Sequence, residues 1–306
     1  MNILKKVEEF SKNINGKIFI NYDLKKSNWF NLGGPAKVFF KPNSLNELIE
    51  FINNFKNTLP IKTIGVGSNI LIRDGGFDGI IIKLNKNFSH ISKLNENTII
   101  SGTSALDKKV SDFALAHNIS GFEFLSCIPG TIGGAIRMNS GCYDYNISKC
   151  LISIQVVDSD GKVRLIDSKR IKFCYRGSNL SKELVFLSAT LKGKKEKESL
   201  IKKKIDLLSS KKKQSQPSKI KTCGSTFKNP IKQTNKKSWE LIQQAGCNNL
   251  KIGGALVSKQ HSNFFINNGT ATSKDMEDLI LKVKEKVYDV SGILLDTELE
   301  IFGEKK

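Results

Sequence analysis

Segment 128–141 constrains the fold more than any other part of the sequence, because it places four glycines among fourteen residues. Glycine lets backbone N–H groups approach a ligand without a Cβ in the way, and consecutive N–H groups can form a nest for an anion. The spacing matches neither the G-x-G-x-x-G turn of a Rossmann fold nor the G-x-x-x-x-G-K-[ST] P-loop. The segment therefore indicates either a tight structural turn or a phosphate-binding loop in a different fold.

A second glycine-containing segment, Gly-Val-Gly-Ser-Asn at 65–69, lies between apolar runs upstream. A lone G-x-G is weak evidence for a ligand. Two such segments in one chain favour a long ligand with two phosphates, and a dinucleotide or a flavin has that chemistry.

Length and composition limit the class of protein. A chain of 306 residues is too long for one ordinary core and predicts two or three domains. The hydrophobic fraction of 39% is typical of a soluble globular protein. No apolar run reaches the roughly 18 to 20 residues that cross a bilayer, and residues 1–10 lack the apolar core of a signal peptide. We therefore expect a cytoplasmic protein without membrane insertion.

The cysteines and the net charge bear on possible ligands. Six cysteines occur without a C-x-x-C pair or a histidine spacing typical of zinc, so we expect reduced thiols and no metal site. The net charge is +20, with a concentration of lysines at 192–221. Aromatic residues that could stack on bases do not alternate with these lysines. An anionic small molecule therefore fits the charge as well as a nucleic acid does.

Hydrophobic periodicity predicts mixed helices and strands without a regular βαβ alternation, so we assign the α+β class. A capping-box pattern begins at Ser44 and precedes apolar residues at helical spacing through Phe55. Similar spacing predicts a helix over 104–117, and Asp160-Gly161 predicts the turn of a hairpin. The predicted strands of this part are 35–40, 61–66, 79–84, 97–101, 151–158, 162–166 and 184–191.

The C-terminal third predicts a smaller α+β domain. A lysine-rich helix over 194–213 precedes it, and we interpret this helix as a solvated link between domains. Two amphipathic helices follow, and each is closed by a glycine. The predicted elements are helices at 239–245 and 276–287, ended by Gly246 and Gly292, and strands at 253–258, 262–267 and 295–302.

Three groups of polar residues could carry chemistry. Arg176 follows an aromatic residue, and Ser225 lies in a glycine-containing turn before Lys228. Glu298 and Glu300 would share one face of the final strand. Each group also has a simpler interpretation, as a surface arginine, a turn serine or an exposed strand carboxylate. The G-x-S-x-G elbow is absent, which argues against a serine nucleophile.

Taken together, these segments resemble the UDP-N-acetylenolpyruvoylglucosamine reductase family, the MurB flavoenzymes of peptidoglycan synthesis. The resemblance extends from about residue 28 to residue 303. Several motifs in the right order make it specific. The motifs are Asn31-Leu32-Gly33-Gly34-Pro35-Ala36, the segment at 65–69, Ile128-Pro129-Gly130-Thr131-Ile132-Gly133-Gly134, Met138-Asn139-Ser140-Gly141, Tyr175-Arg176-Gly177-Ser178, the segment at 224–230, Ile252-Gly253-Gly254-Ala255, His261-Ser262-Asn263-Phe264 and Thr297-Glu298-Leu299.

The resemblance implies an FAD-binding region of the vanillyl-alcohol-oxidase (PCMH) type over 1–195, in two subdomains divided near 85–90. A C-terminal substrate-binding domain would cover 196–306. The short distance from Arg176 to the lysine-rich helix indicates the shorter type, which lacks a tyrosine-bearing loop. FAD would be bound non-covalently. The implied FAD contacts are Gly65, Val66, Gly67, Ser68, Asn69, Pro129, Gly130, Thr131, Gly133, Gly134, Asn139 and Gly141.

The family reaction implies NADPH as the reductant and the enolpyruvyl ether of UDP-N-acetylglucosamine as the substrate. Arg176 and Glu298 would hold the substrate carboxylate and the charge that develops on it. Ser225 would donate a proton to the neighbouring carbon. Lys228 and Asn229 would bind substrate, and we expect a monomer.

The chain departs from the family pattern at three positions. Val66, Thr226 and Glu300 stand where a glycine, an aromatic residue and a basic residue are common. None is an implied catalytic residue, but Thr226 and Glu300 affect the details of substrate contact. Lysines near 211–221 are further implied contacts for the UDP portion.

Two alternatives remain open at the level of the sequence. Another FAD oxidoreductase of the same fold, such as an oxidase, often links FAD to a histidine near the first glycine segment. His90, His117 and His261 all lie outside that segment. A basic nucleic-acid-binding protein is the alternative from a different class.

Overall fold

The computed structural model describes residues 3–217 and 220–306. Within these ranges the chain forms α-helices, short 3-10 turns and several β-sheets. The helices are α1 (Ile3–Ser11), α2 (Leu45–Phe55), α3 (Asp107–Ala116), α4 (Ile132–Met138), α5 (Glu198–Ser215), α6 (Ser238–Gln244) and α7 (Ser273–Ser291). The strands are β1 (Lys17–Asp23), β2 (Pro35–Lys41), β3 (Ile61–Thr63), β4 (Ile70–Ile72), β5 (Phe77–Ile82), β6 (Ile91–Asn95), β7 (Thr98–Gly102), β8 (Ile119–Ser120), β9 (Gly141–Cys142), β10 (Tyr145–Asn146), β11 (Leu151–Val157), β12 (Val163–Asp167), β13 (Phe173–Cys174), β14 (Gly177–Ser178), β15 (Val185–Lys192), β16 (Lys194–Lys195), β17 (Lys251–Ile252), β18 (Ala255–Val257), β19 (Phe265–Asn267) and β20 (Glu300–Phe302).

The chain divides into two compact units. The first takes its described residues from 1–20, 38–65 and 79–212, and the second takes them from 21–37, 66–78 and 213–306. The second unit therefore includes two segments from the region assigned to FAD binding by sequence. The domain boundary at 195/196 and the subdivision near 85–90 stay predictions.

An antiparallel sheet of five strands lies at the centre of the first unit, in the order β12-β11-β15-β7-β6. Along β15, Ala189 and Leu191 are buried and alternate with less buried residues, so one face of the strand packs into the core. Strands β11 and β12 pair across the predicted turn, where Gly161 has a φ of +72°. The hairpin prediction is confirmed.

Helix α2 begins where the sequence predicts, at Ser44. The Ser44 hydroxyl accepts a hydrogen bond from the N–H of Glu47 at 3.2 Å. The Glu47 carboxylate accepts from the N–H groups of Asn43, Asn15 and Gly16 at 2.7, 2.9 and 3.1 Å. The reciprocal bond of the capping box is therefore replaced by bonds to the segments that precede the helix.

Helices α6 and α7 and the sheet β17-β18-β19 build the core of the second unit. Thr272 caps the start of α7, and Gly292 ends it in the left-handed conformation, with a φ of +68°. The buried residues of α7 have the predicted helical spacing. They include Met276, Leu279, Ile280, Val283 and Val287.

The structure corrects several predicted element ends. Helix α3 begins at Asp107 and not at Ser104, since Leu106 forms a β-bridge to Thr131. The predicted strand 295–302 is reduced to β20, because Thr297 bridges to Phe227 before the strand begins. The lysine-rich helix begins only at Glu198, because the preceding β16 pairs with β8. Among the described residues, none of the helices is both long and apolar enough to cross a membrane.

Candidate active site

Backbone hydrogen bonds hold the second glycine segment at the start of α4. Thr131 is the N-cap, and its Oγ1 accepts from the N–H of Gly134 at 3.4 Å. The N–H of Gly133 donates to the carbonyl of Thr103 at 2.9 Å. A Cβ at Gly133 would lie 3.2 Å from that same carbonyl oxygen. The segment therefore packs closely on the residue that follows β7, and a side chain at Gly133 would crowd Thr103.

Glycines of the two segments differ in what an added Cβ would meet. At Gly130 it would lie 2.7 Å from Oδ2 of Asp107, and at Gly65 it would lie 2.7 Å from Oγ1 of Thr131. At Gly134 the nearest atom outside its own helix backbone and chain neighbours would be Thr131 Oγ1, at 3.7 Å. Gly65 therefore lies next to the second segment, while Gly134 borders space that a ligand can occupy.

Asp107 is a residue of this region that sequence reasoning missed. It is fully buried at the start of α3, and neither carboxylate oxygen has a hydrogen-bond partner among the described residues. Burial raises the pKa of the Asp107 carboxyl well above its usual value, because the charged form loses its hydration without compensation. The sequence offered one signal for Asp107, an acidic residue in the first turn of a helix. Many ordinary helices begin in the same way, so this signal does not single out a functional residue.

Arg176 lies in the turn between β13 and β14 with a φ of +56°, which is uncommon for a residue with a side chain. Its Nη2 donates to the carbonyl of Gly141 at 2.9 Å, and the guanidinium lies 5.2 Å from the centre of the Tyr175 ring. Asn139, the left-handed C-cap of α4, donates to the carbonyl of Cys174 in β13 at 2.9 Å. The first unit therefore brings together three predicted site residues, Arg176, Asn139 and Gly141.

The remainder of the first glycine segment belongs to the second unit. Gly67 has a φ of +73°, and a Cβ there would overlap the carbonyl oxygen of Ser27. Asn69 Nδ2 donates to the carbonyl of Glu298 at 3.0 Å, and the Asn69 carbonyl accepts from the N–H of Glu300 at 3.1 Å. Asn69, predicted to contact FAD, thus lies beside the predicted catalytic Glu298. The other predicted FAD contacts are half-buried or exposed, namely Val66, Ser68 and Pro129.

Ser225 lies in a segment that backbone pairing and one side-chain amide hold in place. Ser225 forms a β-bridge with Phe264, and the N–H of Thr226 donates to the carbonyl of Asn263 at 2.8 Å. The Asn263 amide binds both backbone groups of Phe227. Its Oδ1 accepts from the N–H at 2.9 Å and its Nδ2 donates to the carbonyl at 2.8 Å. These two bonds take the place of the pairing that a neighbouring strand would provide. Because Asn263 is only 3% exposed, water does not satisfy these backbone groups in its place.

The other edge of this segment pairs with the residues before β20. The N–H of Glu298 donates to the carbonyl of Thr226 at 2.8 Å, and the N–H of Lys228 donates to the carbonyl of Asp296 at 2.9 Å. The second unit therefore places Ser225, Lys228 and Glu298 on neighbouring stretches of backbone, although they are far apart in the sequence.

The predicted contacts for the UDP portion have several environments. Asn229 Oδ1 accepts from the N–H of Ser238 at the start of α6, at 3.0 Å, so this amide oxygen caps a helix. Lys212, on α5, donates to the carbonyl of Cys127 at 2.8 Å within the first unit. Helix α5 is thus more than a solvated link. Lys219 lies outside the described residues.

Comparison with known proteins decides the family. Residues 216–302 match the C-terminal domain of UDP-N-acetylenolpyruvoylglucosamine reductase, and residues 36–167 match an FAD binding domain. The UDP-N-acetylenolpyruvoylglucosamine reductase of Pelagibacter ubique is 48% identical over 298 residues, which cover 97% of this chain and 99% of that protein. The chain belongs to the UDP-N-acetylenolpyruvoylglucosamine reductase family. The protein of the same name from Rickettsia typhi is 44% identical over 290 residues, with 95% of this chain and 97% of that protein covered.

A solved structure agrees with this assignment. The crystal structure of UDP-N-acetylenolpyruvylglucosamine reductase (MurB) from Thermus caldophilus matches with a TM-score of 0.80 at 27% identity. The match covers 95% of this chain and 100% of that chain. The predicted α+β class, with an FAD-binding region followed by a smaller C-terminal domain, is confirmed, and FAD is the cofactor of this family member.

The first unit fits such a cofactor. Gly65 is exposed, and Gly134 leaves backbone uncovered beside Thr131. Segment 128–141 contains no acidic side chain that would repel a pyrophosphate. Asp107 lies under Gly130, but its burial favours the neutral carboxylic acid, so it does not oppose an anion.

Proposed function

We propose that this protein reduces the enolpyruvyl ether of UDP-N-acetylglucosamine to UDP-N-acetylmuramate with NADPH, as a step in peptidoglycan precursor synthesis. The supporting observation is the 48% identity to a reductase of this name over 97% of the chain. One hydride and one proton add across the carbon–carbon double bond, and NADPH becomes NADP⁺. FAD, when bound, would supply the redox chemistry that links oxidation of NADPH to reduction of the double bond. We place the protein in the cytoplasm, where both nucleotides occur, and propose that it acts as a monomer.

Arg176 binds the carboxylate of the enolpyruvyl group. A guanidinium presents paired N–H donors that match a planar carboxylate. The bond from Nη2 to Gly141 and the contact with Tyr175 restrict the side chain before substrate arrives. When hydride adds to the terminal vinyl carbon, negative charge develops on the carboxylate, and a preorganised guanidinium stabilises it.

Ser225 donates the proton to the carbon next to the carboxylate. The two hydrogen bonds from the Asn263 amide to the backbone of Phe227 support this role, because they fix the backbone close to Ser225. An ionised Glu298 would repel the developing charge, so Glu298 would act in its protonated form, through a hydrogen bond, or through Arg176. Asn229 and lysines near 211–221 bind the UDP portion. Lys228 binds substrate beside Ser225, where its ammonium or a water chain would increase the acidity of the Ser225 hydroxyl.

Ser225→Ala tests this assignment, because flavin reduction by NADPH requires no proton transfer to the sugar nucleotide. The variant should retain FAD and react with NADPH at nearly the wild-type rate. Reoxidation by the enolpyruvyl substrate should slow by a factor on the order of 10² to 10⁴, the range for a lost general acid. Anaerobic stopped-flow absorbance measures the two rates separately.

Ser291→Ala is the matched control for Ser225→Ala. Its hydroxyl donates to the Val287 carbonyl at the end of α7, and its loss should change neither rate. Equal slowing of both half-reactions in Ser225→Ala would assign Ser225 to cofactor positioning. Unchanged rates in both half-reactions would show that Ser225 is only a turn residue. A colourless wild-type protein that does not oxidise NADPH would overturn the proposed function itself.

A further inference from the structure

Two cysteines lie at the ends of the second glycine segment. Cys127 is the last residue of the 3-10 turn Glu123–Cys127, directly before segment 128–141, and Cys142 follows that segment in β9. The Cys142 thiol donates to the carbonyl of Phe124, on the same 3-10 turn as Cys127, at 3.4 Å. Both sulfurs are therefore held on the same short 3-10 turn.

The surroundings make the two thiols chemically different. Lys212 donates to the Cys127 carbonyl at 2.8 Å, and the Ser126 hydroxyl lies 3.7 Å from the Cys127 sulfur. The hydrogen bond from Cys142, the Ser126 hydroxyl and the Lys212 charge lower the pKa of the Cys127 thiol, against the effect of its burial. The interaction with Cys127 raises the pKa of Cys142, and burial adds to this effect. These effects favour the thiolate at Cys127 and the protonated thiol at Cys142.

A cavity gives small molecules access to Cys142. It has a volume of about 510 Å³, and its lining includes Cys142, Glu123, Phe124, Tyr143 and Lys204. Cys142 is half-buried on this cavity, and Cys127 retains 7% exposure. A reagent as small as hydrogen peroxide can therefore reach Cys142 through the cavity and Cys127 through its remaining exposed surface.

The other cysteines lack this combination of features. Burial raises the pKa of both Cys150 and Cys223 to about 12, which makes them inert thiols. Cys247 is fully buried, and burial raises its pKa as well. Cys174 is exposed and lies in β13, so it serves as an internal standard for an ordinary surface thiol.

We propose that Cys127 and Cys142 form a peroxide-reactive dithiol that closes into a disulfide across the FAD-binding segment. The Cys127 thiolate attacks one oxygen of hydrogen peroxide, an S–O bond forms, the O–O bond breaks, and the leaving hydroxide takes up a proton to become water. The Cys142 sulfur then attacks the sulfenic acid, an S–S bond forms, and the S–O bond breaks with loss of a second water. The two thiols lose two electrons, and peroxide is reduced to two molecules of water.

Peptide mapping of the FAD-loaded full-length protein tests the proposal without relying on reductase activity. The protein is treated with hydrogen peroxide, alkylated with N-ethylmaleimide under denaturing conditions and digested with trypsin. Cleavage after Lys109, Arg137 and Lys149 separates the two thiols, since Cys127 falls in fragment 110–137 and Cys142 in fragment 138–149. We expect these fragments to be linked, with a mass two hydrogens lower than their sum. Cys127 should be lost roughly tenfold or more faster than Cys174.

Three variants sharpen the result. Cys142→Ser should stop at a sulfenic acid that dimedone traps on fragment 110–137, and Cys127→Ser should give neither dimedone adduct nor linked fragments. Cys174→Ser is the matched control and should behave as wild type. Oxidation of Cys174 before Cys127, or unlinked fragments after complete oxidation of wild type, would overturn the proposal. The wild-type map decides the question even if a variant does not fold.

Discussion

Segments 128–141 and 223–229 both contain motifs that the sequence indicates as functional, but the protein holds them by different means. Segment 128–141 is fixed by backbone bonds at the start of α4 and packs on the buried, unpartnered carboxylate of Asp107. Segment 223–229 combines backbone pairing on both edges with the side-chain amide of Asn263, which binds both backbone groups of Phe227. One buried amide therefore supplies two of the hydrogen bonds that hold the second segment, and its loss should cost more than the loss of any single contact of the first.

The largest effect on stability is expected for Asn263→Ala, which removes the two hydrogen bonds of the Asn263 amide to Phe227 in segment 223–229. The N–H and carbonyl of Phe227 would lose their partners in a buried environment, at a cost of about 2 to 4 kcal/mol in the free energy of unfolding. Urea denaturation measures this difference. Asn268→Ala is the control, because Asn268 is exposed and bonds to Thr270 within its own loop. Equal stability of the two variants would show that the Asn263 amide contributes little to stability.

An intermediate effect is expected for Asp107→Asn, which tests the buried carboxylate under the first segment. The raised pKa means that the folded protein binds more protons than the unfolded chain between the ordinary aspartate pKa and the raised value. Wild-type stability should therefore fall as pH rises through that window, since stability falls with pH wherever the folded state binds more protons. The variant lacks this pH dependence of the free energy of unfolding. It should be more stable than wild type at neutral pH, by on the order of 1 kcal/mol.

Urea denaturation at a series of pH values from 4 to 8 checks this prediction. Asp112→Asn is the matched control, because Asp112 lies on the same helix but is exposed. It should leave the pH dependence of the free energy of unfolding unchanged. Parallel curves for wild type and Asp107→Asn would mean that the carboxylate finds a compensating partner in solution.

The smallest effect on stability is expected for Gly134→Ala, which separates packing from cofactor binding within the first segment. A Cβ there meets only Thr131 Oγ1 at 3.7 Å, beyond its own helix backbone and chain neighbours. Replacing a helical glycine with alanine should raise apoprotein stability by up to about 1 kcal/mol. The methyl group would occupy space that FAD needs, so bound flavin, measured by absorbance after gel filtration, should decrease. Full flavin occupancy would remove Gly134 from the cofactor contacts.

Prediction from sequence succeeded where local chemistry repeats along the chain. Helix α7 follows from its apolar spacing and from Gly292, and the β11–β12 hairpin follows from Asp160-Gly161. It failed over 295–302, where alternation predicted one long strand. There Thr297 bridges to Phe227, a pairing between distant residues that alternation cannot reveal.

By itself, the sequence determined the α+β class, the two glycine segments, the cofactor and the family, because these depend on motifs that are contiguous or occur in a fixed order. Only the tertiary structure decided that Asn69 contacts Glu298, that Asn263 holds the backbone next to Ser225, and that Asp107 lies buried under Gly130. Each of these contacts joins residues that are separated along the chain. Their energies arise from burial and hydrogen-bond geometry, which exist only after distant segments have packed together.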